Sequence, residues 1–292
     1  MAMTYLLYNE FAEDGKGKAS AEDVRAHLLS CGMEIAEENM VSLNGLDPQE
    51  FFAARSKNDI VIIDGGDGTM NHLMNNLGEQ TIPCLLYLHP NGTGNDFVRD
   101  LPQDILDPKT GLYPIGEFLK GLPFVEVKGK KYRFLNGIGF GIDGECCVKA
   151  EEMKALGQKD INYGAISVKL LFGPFEPPTA TVRLDEGEPF VLPKAYLAST
   201  MNGTYYGGGM AIAPNQRRGS GELTFVAVHG KSKLATLFLF PKIYKGTHIK
   251  NKSACYIAKA KTIEVRFDRP CGLQIDGEVL TGVTEYKAYI AR

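Results

Sequence analysis

Four branched apolar residues, Ile60-Val61-Ile62-Ile63, run into Asp64-Gly65-Gly66-Asp67-Gly68-Thr69, and this junction constrains the fold more than any other stretch. Such an apolar run reads as a strand buried on both faces. Three glycines in four positions let the backbone turn tightly and approach a ligand closely. Met70, Leu73, Met74 and Leu77 then recur at i, i+3, i+4 and i+7, which predicts a helix with one apolar face, and Gly78 stands where a helix-terminating glycine belongs. Strand, glycine loop and helix N-terminus together make an anion site, because the first amide groups and the helix dipole point at the loop. A carboxylate at Asp67 suits phosphate if a divalent cation, or a water on one, lies between them.

A glycine loop alone serves equally well as a tight turn, but this chain repeats the pattern. Pro90-Asn91-Gly92-Thr93-Gly94-Asn95-Asp96-Phe97 follows the apolar run Cys84 to Leu88 and leads into another expected helix. At the amino terminus Tyr5-Leu6-Leu7-Tyr8 reads as a strand ending in Asn9 and a loop through Gly15 and Gly17. Parallel α/β sheets bind ligands beyond the carboxyl ends of their strands. Asn9, Gly65–Thr69 and Gly92–Asp96 all fall at such ends, and one cleft could hold all three.

The first 120 or so residues alternate strand and helix patterns, implying an α/β layer with a mainly parallel sheet. Ser20 is expected to cap a helix containing Val24, Leu28 and Leu29 that stops at Gly32, and Phe51 to Lys57 to close another before Ile60. Near Leu122-Pro123 the texture changes to short strand-like runs: Phe124–Val127, Tyr132–Leu135, Thr181–Leu184, Ala195–Ala198, Leu223–Val228, Thr262–Phe267 and Tyr286–Ile290. Short strands divided by Gly and Pro turns indicate an antiparallel sandwich or barrel-like domain. The exception is a helix over Asn162 to Phe172. The expected domains are therefore 1–122, α/β, and 123–292, β-rich.

At 292 residues, 44% hydrophobic, the chain has ample core material, and a net charge of −3 leaves no footprint for nucleic acid. Six cysteines show no CxxC and no metal-finger spacing. Buried free thiols in a reducing cytosol are the expectation, Cys84 and Cys255 lying in apolar stretches. No segment approaches the ~18 apolar residues of a membrane span.

GGDGT at Gly65–Thr69 with PNGTGNDFVR at Pro90–Arg99 resembles the diacylglycerol kinase catalytic family, bacterial lipid kinases related to sphingosine and ceramide kinases. NGIGFGID at Asn136–Asp143, YYGGGMAIAP at Tyr205–Pro214 and DGE at Asp276–Glu278 extend the resemblance over nearly the whole chain. GGDGT alone is also similar to the motif of NAD kinases and, more distantly, phosphofructokinases. The resemblance implies an NAD kinase-like α/β domain and a C-terminal β-sandwich domain with ATP in the cleft between them, Mg²⁺ as cofactor, and a lipid such as diacylglycerol as substrate at the membrane surface. It also implies a cytoplasmic, peripherally membrane-associated enzyme; a homodimer is left open.

Carried over by position, Asp276 matches the catalytic aspartate that accepts the lipid hydroxyl proton, and Glu278 the adjacent acidic residue. Without that context a plain Asp-Gly hairpin turn is the readier explanation of Asp276. Asn9, Gly65, Gly66, Asp67, Gly68, Thr69, Gly92, Thr93, Gly94 and Asn95 are the expected nucleotide contacts, although Glu10 replaces the family's proline after Asn9. Asp67 and Asp96 are candidate metal residues, Asp96 being equally suited to cap a helix. The family's structural magnesium would fall near Gly219-Ser220-Gly221-Glu222-Leu223-Thr224, where Glu222 is a nearby carboxylate and the other acidic positions are altered. Gly207-Gly208-Gly209 is expected to be a close-approach turn or a bulge. Lysines 231, 233, 242, 245, 250 and 252 with His248 surround the apolar run Leu234 to Phe240, which could dock on anionic headgroups; a solvated helix face over the core is the plainer expectation. Two other readings stand beside the lipid kinase: a soluble-substrate kinase of the NAD kinase type, and a degenerate relative that binds nucleotide or lipid as a regulator.

Overall fold

The computed structural model describes residues 2–11, 16–78, 80–158, 161–173 and 175–290. The chain forms two compact units, Met1–Lys120 and Gly121–Arg292.

The first unit is an α/β layer. Its elements are β1 (Thr4–Tyr8), α1 (Gly17–Ser30), β2 (Met40–Ser42), α2 (Pro48–Ala53), β3 (Ile60–Gly65), α3 (Asp67–Leu77), β4 (Leu85–Pro90), α4 (Asp96–Arg99) and β5 (Tyr113–Pro114). The sheet order is β2-β1-β3-β4-β5, parallel throughout except for β5, which runs antiparallel to β4. Leu6, Leu7, Val61, Ile62 and Ile63 are fully buried, as a central pair of strands covered on both faces requires. Met70, Leu73, Met74 and Leu77 of α3 are buried together, on the face that the sequence period predicts.

Two helix boundaries differ from expectation. Helix α1 starts at Gly17, so Ser20 lies a turn inside it and caps nothing. The entering chain sets that start: a Cβ on Gly17 would lie 1.9 Å from the Asn9 carbonyl oxygen, so only glycine lets the helix begin against Asn9. The expected stop holds, with the Gly32 and Met33 amides bonded back to Leu29 and Leu28. Helix α2 ends at Ala53 rather than Lys57 because buried Asp59 accepts hydrogen bonds from the Ser56 and Met3 amides, which fixes a turn ahead of β3. Gly15 lies outside the described residues.

The second unit is an antiparallel β-sandwich. Its strands are β6 (Phe124–Val127), β7 (Lys130–Arg133), β8 (Gly137–Gly141), β9 (Ala180–Leu184), β10 (Phe190–Leu192), β11 (Leu197–Met201), β12 (Leu223–Val228), β13 (Cys255–Ala260), β14 (Thr262–Ile275) and β15 (Glu278–Tyr289). The order is β13-β12-β11-β8-β14-β15-β6-β7, with β9 joining β14 to β10. Register shifts between Arg266 and Cys271 and between Cys271 and Leu273 break the pairing of β14 with β15. Across them β14 changes its other neighbour, pairing with β9 through Phe267 and with β8 from Leu273. Phe140 stacks on Phe267 at 3.8 Å between ring centres within the core.

Helix α5 (Ile142–Ala155) stands where no helix was expected, between the glycine strand β8 and α6 (Tyr163–Phe172). Its buried face is only Ile142, Gly144, Cys146 and Ala150, a stripe of mostly small residues that gives little apolar period. Close approach explains the stripe, since a Cβ on Gly144 would lie 2.0 Å from the Gly272 carbonyl oxygen. Helix α6 is as expected, with the Asn162 side chain accepting from the Ala165 amide. The segment expected as one apolar run near 234–240 is two short helices, α7 (Lys233–Leu237) and α8 (Phe240–Tyr244). Phe134 and Leu135 are buried but follow β7 rather than belonging to it, and strand β11 begins two residues later than Ala195. Cys255 is buried as expected, whereas Cys84 is half-buried just ahead of β4.

Candidate functional site

In the first unit the two glycine loops interlock at the carboxyl ends of β3 and β4. A Cβ on Gly66 would sit 2.7 Å from the Gly92 Cα, and one on Gly92 would sit 2.6 Å from the Gly66 Cα. Glycine at both positions is therefore required for the loops to touch. The Asn91 amide bonds to the Gly65 carbonyl oxygen (3.1 Å), tying the second loop to the end of β3.

Asp67 joins the loops in a way that the sequence did not reveal. Its Oδ2 accepts from the Asp96 amide and its Oδ1 from the Phe97 amide, both at 2.8 Å. The first residue of α3 thus caps α4, a carboxylate at a helix N-terminus being favoured by both hydrogen bonding and the dipole. Asp96 is buried as the first residue of α4, its Oδ1 3.7 Å from Arg99 Nε. Asn95, in the left-handed region at φ 50°, turns its amide back on Gly92, accepting from its N–H (3.1 Å) and donating to its carbonyl (2.7 Å). Its role here is to hold the loop. Asn9 Oδ1 similarly accepts from the Phe11 amide (3.0 Å). The Thr69 side chain packs on Gly65, while Thr93 is exposed. Gly68 differs from Gly65, Gly66 and Gly92: a Cβ there would meet nothing within 4 Å, and the residue lies in the first turn of α3, where neither packing nor backbone angle demands glycine.

Beneath the loops lies a polar chain that sequence reasoning passed over. Asp64 is nearly buried, its Oδ1 2.8 Å from His89 Nδ1, and Asn91 Nδ2 donates to Ser20 Oγ at 2.9 Å. Asp64 and His89 face each other in the β3–β4 register. Charged or polar groups at the ends of two apolar strand runs were the signal available.

In the second unit Asp276 and Gly277 form the two-residue turn between β14 and β15, with φ of 49° and 96°. The Asp276 carboxylate points back at the loop before β8, accepting from the amides of Leu135 (2.5 Å), Asn136 (2.8 Å) and Gly137 (2.9 Å), while its own amide donates to the Gly137 carbonyl (3.1 Å). Arg218 binds the same loop, donating to the Leu135 carbonyl oxygen and to Asn136 Oδ1, and Asn202 Nδ2 donates to the Leu135 oxygen at 2.9 Å. Arg218 was missed, although an Arg-Arg pair inside a glycine-rich segment is visible in the sequence. Glu278 is exposed at the first position of β15. Gly207, Gly208 and Gly209 all have positive φ in a turn closed by a Tyr206–Met210 bridge.

Asp143, the acid of the NGIGFGID segment, is half-buried in the first turn of α5, its carboxyl group set against Gly139 of β8. Tyr206 donates to its Oδ2 and lies 2.8 Å from Ser199 Oγ. Its Oδ1 is buried and has no partner among the described residues. Burial pushes the Asp143 carboxyl up to about 6, against the opposing effect of the Tyr206 hydrogen bond. Burial likewise pushes the nearby Cys147 thiol up to about 12, which suppresses thiolate reactivity.

The expected metal residues do not converge on a protein-built centre. Among the described residues no group of three or more His, Cys, Asp or Glu is placed to hold a metal. Both Asp67 oxygens face amide donors, and the Glu222 segment is organised by Gln216, whose Nε2 donates to the Glu222 carbonyl (2.8 Å) while its Oε1 accepts from Thr224 (2.6 Å). The Asp67 bonds make a helix cap, and the Gln216 bonds organise a turn through the Glu222 backbone. Among the described residues no helix is long and apolar enough to cross a membrane.

Comparison with known proteins agrees with this architecture. Residues 3–116 match the family model of the diacylglycerol kinase catalytic domain, and residues 136–288 match the YegS C-terminal NAD kinase beta sandwich-like domain. The chain is 26% identical to a diacylglycerol kinase of Mycobacterium tuberculosis over 265 residues, covering 89% of this chain and 83% of that protein. It is also 26% identical to a diacylglycerol kinase of Staphylococcus epidermidis, covering 94% of this chain and 84% of the relative. A crystal structure of a diacylglycerol kinase from Bacillus anthracis superposes with a TM-score of 0.62 at 20% identity, covering 99% of this chain and 94% of that one, which establishes the shared fold. An α/β unit with interlocked glycine loops and a β-sandwich with a DGE hairpin define the class. The chain belongs to the diacylglycerol kinase catalytic family.

Proposed function

We propose that this protein is a lipid kinase that takes ATP, with its magnesium, as co-substrate and phosphorylates the hydroxyl of a lipid such as diacylglycerol. The observation that carries the nucleotide assignment is Gly68: it stands in the first turn of α3 with open space around it and ordinary backbone angles, which leaves room for a ligand at the helix N-terminus. The interlocked loops and the α3 N-terminus supply amide donors for phosphate oxygens. The names of the relatives support a lipid acceptor, and a lipid acceptor makes a cytoplasmic enzyme that visits the membrane surface the natural setting.

In this reading residues 1–122 hold the nucleotide, and residues 123–292 carry the acceptor pocket and Asp276. The acceptor oxygen attacks the γ-phosphorus, its proton passes to the Asp276 carboxylate, and ADP leaves. Three amide bonds hold that carboxylate in place, two on Oδ1 and one on Oδ2, and a carboxylate has lone pairs enough for a fourth partner. Glu278, exposed two residues on, adds negative charge beside it. The same three amide bonds also suit a non-catalytic relative that binds nucleotide or lipid, and this observation keeps that second reading in play.

The deciding experiment incubates the purified protein with ATP and magnesium over a panel of diacylglycerol, phosphatidylglycerol, sphingoid bases, polyprenols and NAD, with mass-spectrometric detection and a chelator control. A phosphorylated lipid, formed only with magnesium, is the expected result. NADP as the sole product would overturn the lipid assignment. Nucleotide binding without any product would establish the regulator.

A further inference from the structure

Helices α6, α7 and α8 of the second unit present apolar side chains outward as well as inward. Inward, Leu239 and Ile243 are buried in the unit's core, with Leu237 and Phe240 packed against it. Outward, Phe238 is 66% exposed, Leu234 57%, Phe172 51% and Tyr244 51%. Leu234 and Phe238 are four apart on one face of α7 and its C-cap, and Val168 and Phe172, also exposed, are four apart on α6. Lys233 bridges the two helices, its Nζ 3.3 Å from both the Gly173 carbonyl oxygen and Glu176 Oε1. The outward pairs therefore lie on neighbouring helices. The plainer expectation of a solvated face over the core describes Leu239, Ile243 and the exposed lysines, but Leu234 and Phe238 face outward, and His248 is buried with Nε2 3.0 Å from the Ile212 carbonyl oxygen.

The charge of the α7–α8 segment is one-sided, the acid beside it, Glu176, being paired with Lys233. Every charged residue between Glu222 and Glu264 is a lysine, in a chain whose net charge is −3. Lys242, Lys245, Lys250 and Lys252 are exposed. Exposed aromatic and leucine side chains, in a segment whose exposed charges are all lysines, match the two-part chemistry of an anionic bilayer surface. A second copy of the chain is a poorer partner, because a two-fold contact through this face would bring lysines against lysines.

We propose that the α6–α8 face is a docking surface for anionic lipid bilayers, with Phe172, Leu234, Phe238 and Tyr244 entering the headgroup–acyl boundary and Lys242 and Lys245 contacting headgroups. The proposal extends the lipid-kinase reading by naming the surface that meets the membrane. It is tested without nucleotide or turnover, so either reading can fail alone.

The test is flotation of the full chain with vesicles of phosphatidylcholine, and of phosphatidylcholine and phosphatidylglycerol in equal parts. Binding is expected with the anionic vesicles only and should fall with added salt. Lys242→Gln with Lys245→Gln should weaken it by roughly fivefold per lysine. Leu234→Ser with Phe238→Ser should weaken it by about tenfold or more, from the apolar area no longer removed from water. Thermal midpoints of both double variants should match the parent, since these side chains project away from the core. Failure of the parent to float with anionic vesicles would overturn the proposal, as would unchanged binding by both double variants. Sedimentation showing a dimer that Leu234→Ser with Phe238→Ser dissolves would assign the face to a second copy instead.

Discussion

Asp67 is where the capping role and a metal-ligand role make opposite predictions. The structure gives its carboxylate two 2.8 Å hydrogen bonds to the amides that open α4. Hydrogen bonds to a charged group contribute roughly 1.5–3 kcal/mol each when buried. Helix N-cap replacements cost about 0.5–2 kcal/mol in all, which is nearer the case here because Asp67 is half-buried and water can reach the vacated amides. We predict that Asp67→Ala destabilises the metal-free, nucleotide-free protein by about 2 kcal/mol, the upper part of that range. For a unit of this size that lowers the thermal midpoint by roughly 5–8 °C. Asp67→Asn should lose nearly as much, since an amide can accept one of the two bonds and turns a donor toward the other. Calorimetry in excess EDTA is the assay, because a residue needed only for metal has nothing to lose there. Midpoints of both variants within about 1 °C of the parent, well under the shift expected for one lost cap, would refute the clamp and return Asp67 to the list of metal ligands.

Three further outcomes are expected. Gly68→Ala should leave the free protein as stable or raise it by about 0.5–1 kcal/mol, through helix propensity, while abolishing ATP binding in calorimetry; normal ATP binding would remove Gly68 from the nucleotide site. Asp276→Asn should lower phosphoryl transfer by about 10²–10⁴ with ATP affinity retained, and the lost acceptor against Leu135–Gly137 should also lower the thermal midpoint; retention of most activity would take Asp276 out of the mechanism. For Asp143 the folded carboxyl keeps its proton up to about 6, whereas the unfolded one releases it near 3.8. The folded state therefore binds more protons within that window, and this group's contribution to stability falls as pH rises through it. Asp143→Asn should consequently gain on the parent by something on the order of 3 kcal/mol between the low and high ends of the window, measured by urea unfolding. A pH-independent difference would show that burial does not perturb this group.

Much of the first unit was legible because its signals are local. The Ile60–Ile63 run, the α3 period and the glycine loops each specify their conformation within a dozen residues, so β3, α3 and the two loops at the strand ends follow from side-chain spacing and backbone freedom alone. Family membership was legible for the same reason, since GGDGT, GTGND and DGE are short and contiguous. Tertiary structure decided what joins residues far apart in sequence. That Asp67 caps α4, that Asn95 turns inward on Gly92, and that Asp276 is held by amides about 140 positions earlier depend on which loops meet. Helix α5 escaped because close backbone packing selects small residues on its buried face, which erases the apolar period by which helices are read. The outward face of α7 and α8 escaped for the opposite reason. An apolar run marks residues that avoid water without saying which have a core to enter, and only the packed unit separates Leu239 and Ile243, which do, from Leu234 and Phe238, which do not.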